Sequence, residues 1–326
     1  MKLKGKTILI TGGTGSFGQA FVARVLAQEN PKAIRVYSRD ELKQQQMRVA
    51  LKDDERLRFL IGDVRDGKRL ERACEGVDII IHAAAMKQVP ACEYNPIEAI
   101  RTNIDGAINV IEAALNLHTP KVIALSSDKA VHPVNLYGAT KLCAEKLFVQ
   151  ANSYAGLSKK TSFSVVRYGN VVASRGSVIP LFKEQILRGE PLTLTDERMT
   201  RFWITLEQAV DFVVASIGMM KGGEIFVPKI PSMKIVDLVR AFNYAKVVKV
   251  IGIRPGEKID EFLITKEEGP RTYELADRYV IEPEFPWWTE RVAKRGSRMS
   301  GGFSYDSRNN KKWLTIKEMK KLIRIA

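Results

Sequence analysis

Ser126-Ser127-Asp128-Lys129, followed by Tyr137-Gly138-Ala139-Thr140-Lys141, set an acid, two amines, a phenol and several hydroxyls close together in the chain. Such a set can do proton and hydride chemistry on an alcohol. Lys121 to Leu125 is a short apolar run of the kind that forms the core strand of a parallel sheet. Ser126 to Lys129 are therefore expected at its carboxyl end, where open α/β sheets bind ligands. Tyr137 and Lys141 are four residues apart, so in a helix starting after Pro133 they share one face. The ammonium is then expected to lower the phenol's pKa, and a phenolate can take a proton from a hydroxyl.

That chemistry needs a redox cofactor, and the amino terminus offers a site for one. An apolar strand at Lys6 to Ile10 runs into Thr11-Gly12-Gly13-Thr14-Gly15-Ser16-Phe17-Gly18, and Gln19 to Gln28 reads as a helix. Glycines let backbone approach a pyrophosphate, while the helix start supplies free N–H groups and a favourable dipole. A second strand, Ala33 to Tyr37, ends in Ser38-Arg39-Asp40-Glu41-Leu42-Lys43. Asp40 could bond the ribose 2′-hydroxyl of NAD; Arg39, Ser38 and Lys43 suit the 2′-phosphate of NADP, which is the cofactor favoured here. Asp40 and Glu41 also fit an ordinary helix start. Asp63, with Val64 beside it, closes a third strand near the adenine edge, and the small residues after His82, Ala83 among them, leave room for the cofactor.

The 326 residues, 45% hydrophobic, suffice for one large core and a smaller lobe. No apolar run approaches the roughly 20 residues a membrane span requires, and Met1 to Lys4 lead straight into the first strand, so a cytoplasmic location is expected. Cys74, Cys92 and Cys143 lack metal spacing and the three histidines are scattered, so neither disulfides nor a metal are expected. The formal charge of +15 is spread along the chain without a nucleic-acid-binding motif, so no nucleic-acid partner is expected; part of the excess can steer phosphorylated ligands.

Strand and helix patterns alternate to about residue 170, with strands near 6–10, 33–37, 58–61, 77–81, 120–125 and 163–168. They predict an α/β fold with a doubly wound, Rossmann-type parallel sheet over residues 1–170. Residues 171–326 are expected to form mainly a smaller substrate lobe, with some segments returning to the first domain. Helices are expected at Gly176 to Arg188, Leu206 to Met220 and Val236 to Ala245, and a strand at Glu224 to Val227.

The glycine turn, Tyr37 to Lys43, Gly62 to Asp66, His82 to Ala85, Ser127 to Ala130, Tyr137 to Lys141 and Val166 to Asn170 together resemble the extended short-chain dehydrogenase/reductases. More narrowly, the chain resembles the inverting UDP-N-acetylglucosamine 4,6-dehydratases of pseudaminic acid synthesis, from about Lys6 to Glu261 by motif. The resemblance implies that Tyr137, supported by Lys141 and Ser127, takes the proton of the sugar's C4 hydroxyl. Lys129 would then be the base for C5 and Asp128 the acid that releases the C6 hydroxyl as water. The base must be neutral, so its pKa is expected well below the usual value, through burial or through Lys87 or Lys141 nearby. A plain Asp128–Lys129 salt bridge is the competing reading.

The same resemblance assigns Gly12, Thr14, Gly15, Ser16, Phe17, Gly18, Ser38 to Lys43, Asp63, Val64, Ala83, Lys87, Tyr137, Lys141 and Val171 to the cofactor. It assigns Lys87, Ser126, Ser127, Asn170, Arg175, Thr200, Arg254 and Glu257 to a UDP-sugar, with Arg254 gripping the diphosphate. It also implies a homo-oligomer. Three positions depart from the pattern: Ala173 stands where Gly is expected, Gln88 where His is familiar, and His132 replaces a common Asn. A nucleotide-sugar 4-epimerase would share Ser127, Tyr137 and Lys141 but has no need of Asp128-Lys129. A non-catalytic NADP-sensing or RNA-binding protein on the same fold would instead exploit the positive charge.

Overall fold

Short apolar runs separated by amphipathic ones pair in parallel because the intervening helices carry the chain back across the sheet. The computed structural model describes residues 2–155, 160–174, 176–244, 248–285 and 296–325. Its first six major strands are β1 (Thr7–Thr11), β2 (Ala33–Ser38), β3 (Leu57–Ile61), β4 (Ile79–His82), β5 (Lys121–Ser127) and β6 (Ser162–Tyr168). They lie in the order β3-β2-β1-β4-β5-β6, all parallel, which is the doubly wound Rossmann arrangement. The order reverses between β1 and β4, so the ligand crevice opens at their carboxyl ends. Pairing carries β5 two residues further than its apolar run, so Ser126 and Ser127 end the strand and Asp128–Ala130 forms a single 3₁₀ turn.

The chain after residue 170 divides between two cores. Ile225–Pro228 adds a seventh parallel strand beside β6, and Arg278–Ile281, Thr272–Glu274 and Ser297–Arg298 extend the sheet antiparallel. Helix Leu206–Met219 starts with a Thr205/Gln208 capping box and contributes Val210, Val213 and Ile217 to the large core that covers the sheet. A smaller core gathers Phe182, Trp203, Leu238 and Met319 from helices Val178–Leu187, Ile235–Phe242 and Ile316–Ile325 and strand Thr200–Ile204. Each such side chain, fully buried, contributes about 1.5–3 kcal/mol. The helix expected to reach Ala245 ends at Phe242, where Asn243 takes a left-handed φ of 52° and terminates it; Ala245 lies outside the described residues.

A π-helical turn, Arg101–Asp105, fixes the crevice floor. Its wider backbone turns buried Asn103 inward, where the amide accepts from Met86 N–H at 2.8 Å and donates to Met86 C=O at 3.0 Å and Thr140 Oγ1 at 2.9 Å. The loop after β4 is thus tied to helix Leu136–Gln150, which carries Tyr137.

Candidate active site

The glycine turn meets the close approach that its composition predicts. A side chain on Gly12, whose φ is +66°, would lie 2.8 Å from the Ala84 backbone, and one on Gly18 would lie 2.4 Å from the Gly13 carbonyl oxygen. Only hydrogen fits at either place, so the turn is held flat against the end of β4 and helix Ser16–Gln28 packs tightly on its strand. Gly15 caps that helix without a side-chain hydrogen bond, and its first turn carries no acid. The helix start, with Thr14, Ser16 and Phe17 around it, therefore presents N–H groups toward the crevice, as a pyrophosphate requires.

At the end of β2, the Asp40 carboxylate accepts from Lys43 N–H at 3.0 Å and pairs with the Lys43 ammonium, which holds its pKa below the usual carboxylate value. Asp40 is thus the helix cap that the competing reading described. Arg39 is largely exposed, 3.5 Å from Asp63, and Ser38 Oγ accepts from Gln44. Asp63 is bound by Arg65 at 2.7 and 2.9 Å. Glu41 and Leu42 are exposed on the first turn, and Ala83 is half-buried. Val64 differs from expectation: its side chain is in the core against Gly106. With an uncapped helix start and a glycine cradle, these residues fit a dinucleotide.

The chemical residues converge where expected. Lys129 Nζ lies 3.0 and 3.1 Å from the two Asp128 oxygens, and Ser127 Oγ donates to Asp128 at 2.8 Å. Tyr137 and Lys141 are both buried on the face of helix Leu136–Gln150 toward β5, which brings Tyr137 beside Ser127. Lys141 donates to the Leu125 carbonyl at 2.5 Å, and burial pulls its pKa down to about 8.

Two ionisations correct the expectation. Burial pushes the Tyr137 phenol up to about 12; the cation that opposes this is Lys129, and the nearby Ser127 hydroxyl acts in the same sense. Lys141, turned to a backbone carbonyl, does not supply the expected lowering. Burial draws the Lys129 ammonium down, but the Asp128 and Glu261 carboxylates outweigh it and hold the pKa above its ordinary value. Two anions facing Lys129 therefore favour its charged form.

Glu261 was not legible as part of this group. Its buried carboxylate lies 3.4 Å from Lys129, 2.9 Å from Lys258 and 3.8 Å from Arg201. Lys258 also donates to the Val131 carbonyl at 2.9 Å. Asn170 Oδ1 accepts from Lys129 at 3.3 Å, joining it to the site as expected. Asn135 was missed too. Its side chain accepts from Gly138 N–H at 2.7 Å, capping the Tyr137 helix, and donates to the Gly256 carbonyl at 2.7 Å, docking the loop that carries Arg254 and Glu257. An Asn just ahead of a helical pattern was the available signal.

The remaining candidates vary. Ser126 is buried with its hydroxyl unpaired among the described residues, so it has a hydrogen bond to offer. Thr200 departs from expectation, because its hydroxyl is engaged by Asp260 at 2.7 Å and Ser307 at 2.6 Å. Arg254 is exposed, with its N–H 3.3 Å from Glu257 Oε2. Lys87 is exposed beyond β4 and Val171 is half-buried against the large core. Arg175 lies outside the described residues. The departures from the family pattern have backbone meaning: Ala173 and His132 adopt φ of 52° and 46°, a region suited to Gly and Asn, and Gln88 crowds Gly176. Among the described residues no group of three His, Cys, Asp or Glu side chains converges as a metal site, and no helix is long and apolar enough to cross a membrane.

Comparison with known proteins gives the same neighbourhood. Residues 8–283 match a family described as "Polysaccharide biosynthesis protein". The chain belongs to that family. An inverting UDP-N-acetylglucosamine 4,6-dehydratase of Campylobacter jejuni is 51% identical over 98% of this chain and 97% of its own length. At that identity and coverage the chain groups with the inverting dehydratases, within the short-chain dehydrogenase/reductase fold. A UDP-glucose 4-epimerase of Rickettsia rickettsii is 47% identical, over 85% of this chain and 82% of its own. Among solved structures, Pen from Bacillus thuringiensis superposes with a TM-score of 0.90 at 40% identity, each chain covered fully. The dTDP-glucose 4,6-dehydratase DesIV of Streptomyces venezuelae, solved with NAD and TYD, has a TM-score of 0.71 at 22% identity and covers 78% of this chain and 86% of its own, a likeness of fold alone.

Proposed function

We propose that this chain is a hydro-lyase that removes water across C5 and C6 of UDP-N-acetylglucosamine, inverts C5, and uses NADP catalytically. The carrying observation is the Asp128–Lys129 pair, 3.0 Å apart and beside the Ser127–Tyr137 pair at the end of β5. One pair suits an alcohol's proton and the other an elimination. NADP, when bound, would supply an acceptor for a hydride from C4 and a donor of hydride for C6. The glycine turn, the start of helix Ser16–Gln28, Ser38 and Arg39 would hold it.

Tyr137 takes the C4 hydroxyl proton, with Ser127 hydrogen-bonded to the same oxygen. A 4-ketone makes the C5 hydrogen acidic, Lys129 removes it, and Asp128 protonates the departing C6 hydroxyl. Arg254 and Glu257 sit on the loop docked to Asn135 and face the nucleotide in this reading. Proton delivery to the opposite face of C5 gives the L-series 4-keto-6-deoxy sugar. NADP over NAD, a cytoplasmic location, entry into pseudaminic acid synthesis and a homo-oligomer belong to the same proposal.

The 4-epimerase reading is supported by the rickettsial relative, but it leaves Asp128 and Lys129 without a task. Proton NMR of the product from UDP-N-acetylglucosamine in deuterated water separates the two. The dehydratase reading expects deuterium at C5, a C6 methyl group and inverted ring couplings. An unlabelled C4 epimer would sink it.

A further inference from the structure

Glu261 comes 132 residues after Lys129, yet its carboxylate is turned into the catalytic cluster rather than to solvent. Around Lys129 stand Asp128 on its own turn, Arg201 on strand Thr200–Ile204, Lys258 and Glu261 from the carboxyl segment, and Tyr137 on its helix. Asp260 faces Thr200 and Arg308 instead, and His132 faces Glu267. Three cations thus share two carboxylates. We propose that Glu261 is a positioning residue for the elimination: it holds the Lys129 ammonium against Asp128 in the resting site and sets how readily that pair exchanges its proton.

The Asp128–Lys129 contact allows one internal transfer. An N–H bond of Lys129 breaks and an O–H bond of Asp128 forms, leaving a neutral amine and a carboxylic acid with no change in the charge of the cluster. The amine then takes the C5 hydrogen as a proton, and the C5–H electron pair becomes the C5–C6 double bond. Asp128 gives its proton to the C6 hydroxyl, which leaves as water with its bonding pair. Elimination therefore regenerates the ammonium and the carboxylate. Glu261 stabilises that charged state of Lys129, and Lys258 and Arg201 limit how strongly it does so.

This inference rests on Lys129 being the C5 base. Its test is the pH dependence of kcat for dehydration by the full-length wild type, Glu261→Gln and Lys258→Met. Removing the carboxylate moves the limb on which rate rises with pH to lower pH, by about one unit or more. Removing the Lys258 ammonium moves it to higher pH, and Glu261→Asp returns it toward the wild-type position. Limbs that stay at the wild-type pH in both variants overturn the proposal, whatever the loss of rate. C5 hydrogen exchange in deuterated water keeps the two levels apart. Exchange that survives Lys129→Met refutes the base itself, whereas exchange lost in that variant with an unmoved Glu261→Gln limb refutes only the role of Glu261.

Discussion

Two buried ionic clusters join the sheet to the carboxyl-terminal segments, and they are built to opposite ends. Arg167 on β6 is closed in by Glu145, at 3.1 Å and one shorter contact, by Glu268 at 3.0 Å twice, and by the Leu263 carbonyl at 2.7 Å. Arg271 stands 3.8 Å from Glu268, and every N–H donor of the Arg167 guanidinium is spent. Around Lys129, cations outnumber carboxylates, and the buried Ser126 hydroxyl lacks a partner among the described residues. A saturated cluster can only hold structure together. An unsaturated one keeps hydrogen bonds and positive charge for an anionic, hydroxyl-rich ligand.

The comparison breaks if both clusters respond alike to loss of charge. In Asp128→Asn/Lys129→Met both members of one pair are neutralised together, so the dehydration rate measured with UDP-N-acetylglucosamine falls by about 10²–10⁴, while the urea midpoint hardly moves. Arg167→Met strands two buried carboxylates and is expected to cost about 3–5 kcal/mol in chemical denaturation. A small loss there would show that the closed cluster is not structural.

Lys141 sharpens the contrast because Glu145, which belongs to the closed cluster, also supports its charge. Its folded pKa of about 8 lies below the ordinary lysine value of 10.5, so the unfolded chain binds the extra proton between those values. Stability relative to Lys141→Met therefore rises with pH through that window, by roughly 3 kcal/mol in all. Urea midpoints at pH 7 and pH 10 for both proteins measure it; a constant difference would contradict the burial of a charged amine. The smallest effect belongs to neither cluster: Ala173→Gly relieves a left-handed backbone and should raise stability by about 0.5–1 kcal/mol in a thermal melt.

Much of this was legible because the information is local. Alternating apolar runs specify β1 to β6, and the glycine turn, Asp128-Lys129 and Tyr137-x-x-x-Lys141 carry their chemistry within a few residues. Even the departures at Ala173 and His132 proved to mark left-handed backbone. Glu261, Lys258 and Arg201 sit in charged or aromatic segments with nothing to separate them from surface residues until the fold brings them to Lys129. Lys129 reverses the expectation for its ionisation. Burial and the cations Lys87 and Lys141 pointed to an amine eased toward neutrality, whereas Asp128 beside it and Glu261 from far along the chain hold its pKa up. The partners of Thr200 were hidden in the same way, since Asp260 and Ser307 reach its hydroxyl from distant segments.

Asn135 has one hand on the first turn that aims the phenol and the other on the loop of Arg254. If that loop clasps the diphosphate, tension at the nucleotide end of the substrate is felt, through a single amide, at the hexose end. A sugar phosphate stripped of its uridine would then suffer in turnover as well as in affinity, because the lever that sets the angle of Tyr137 would hang loose.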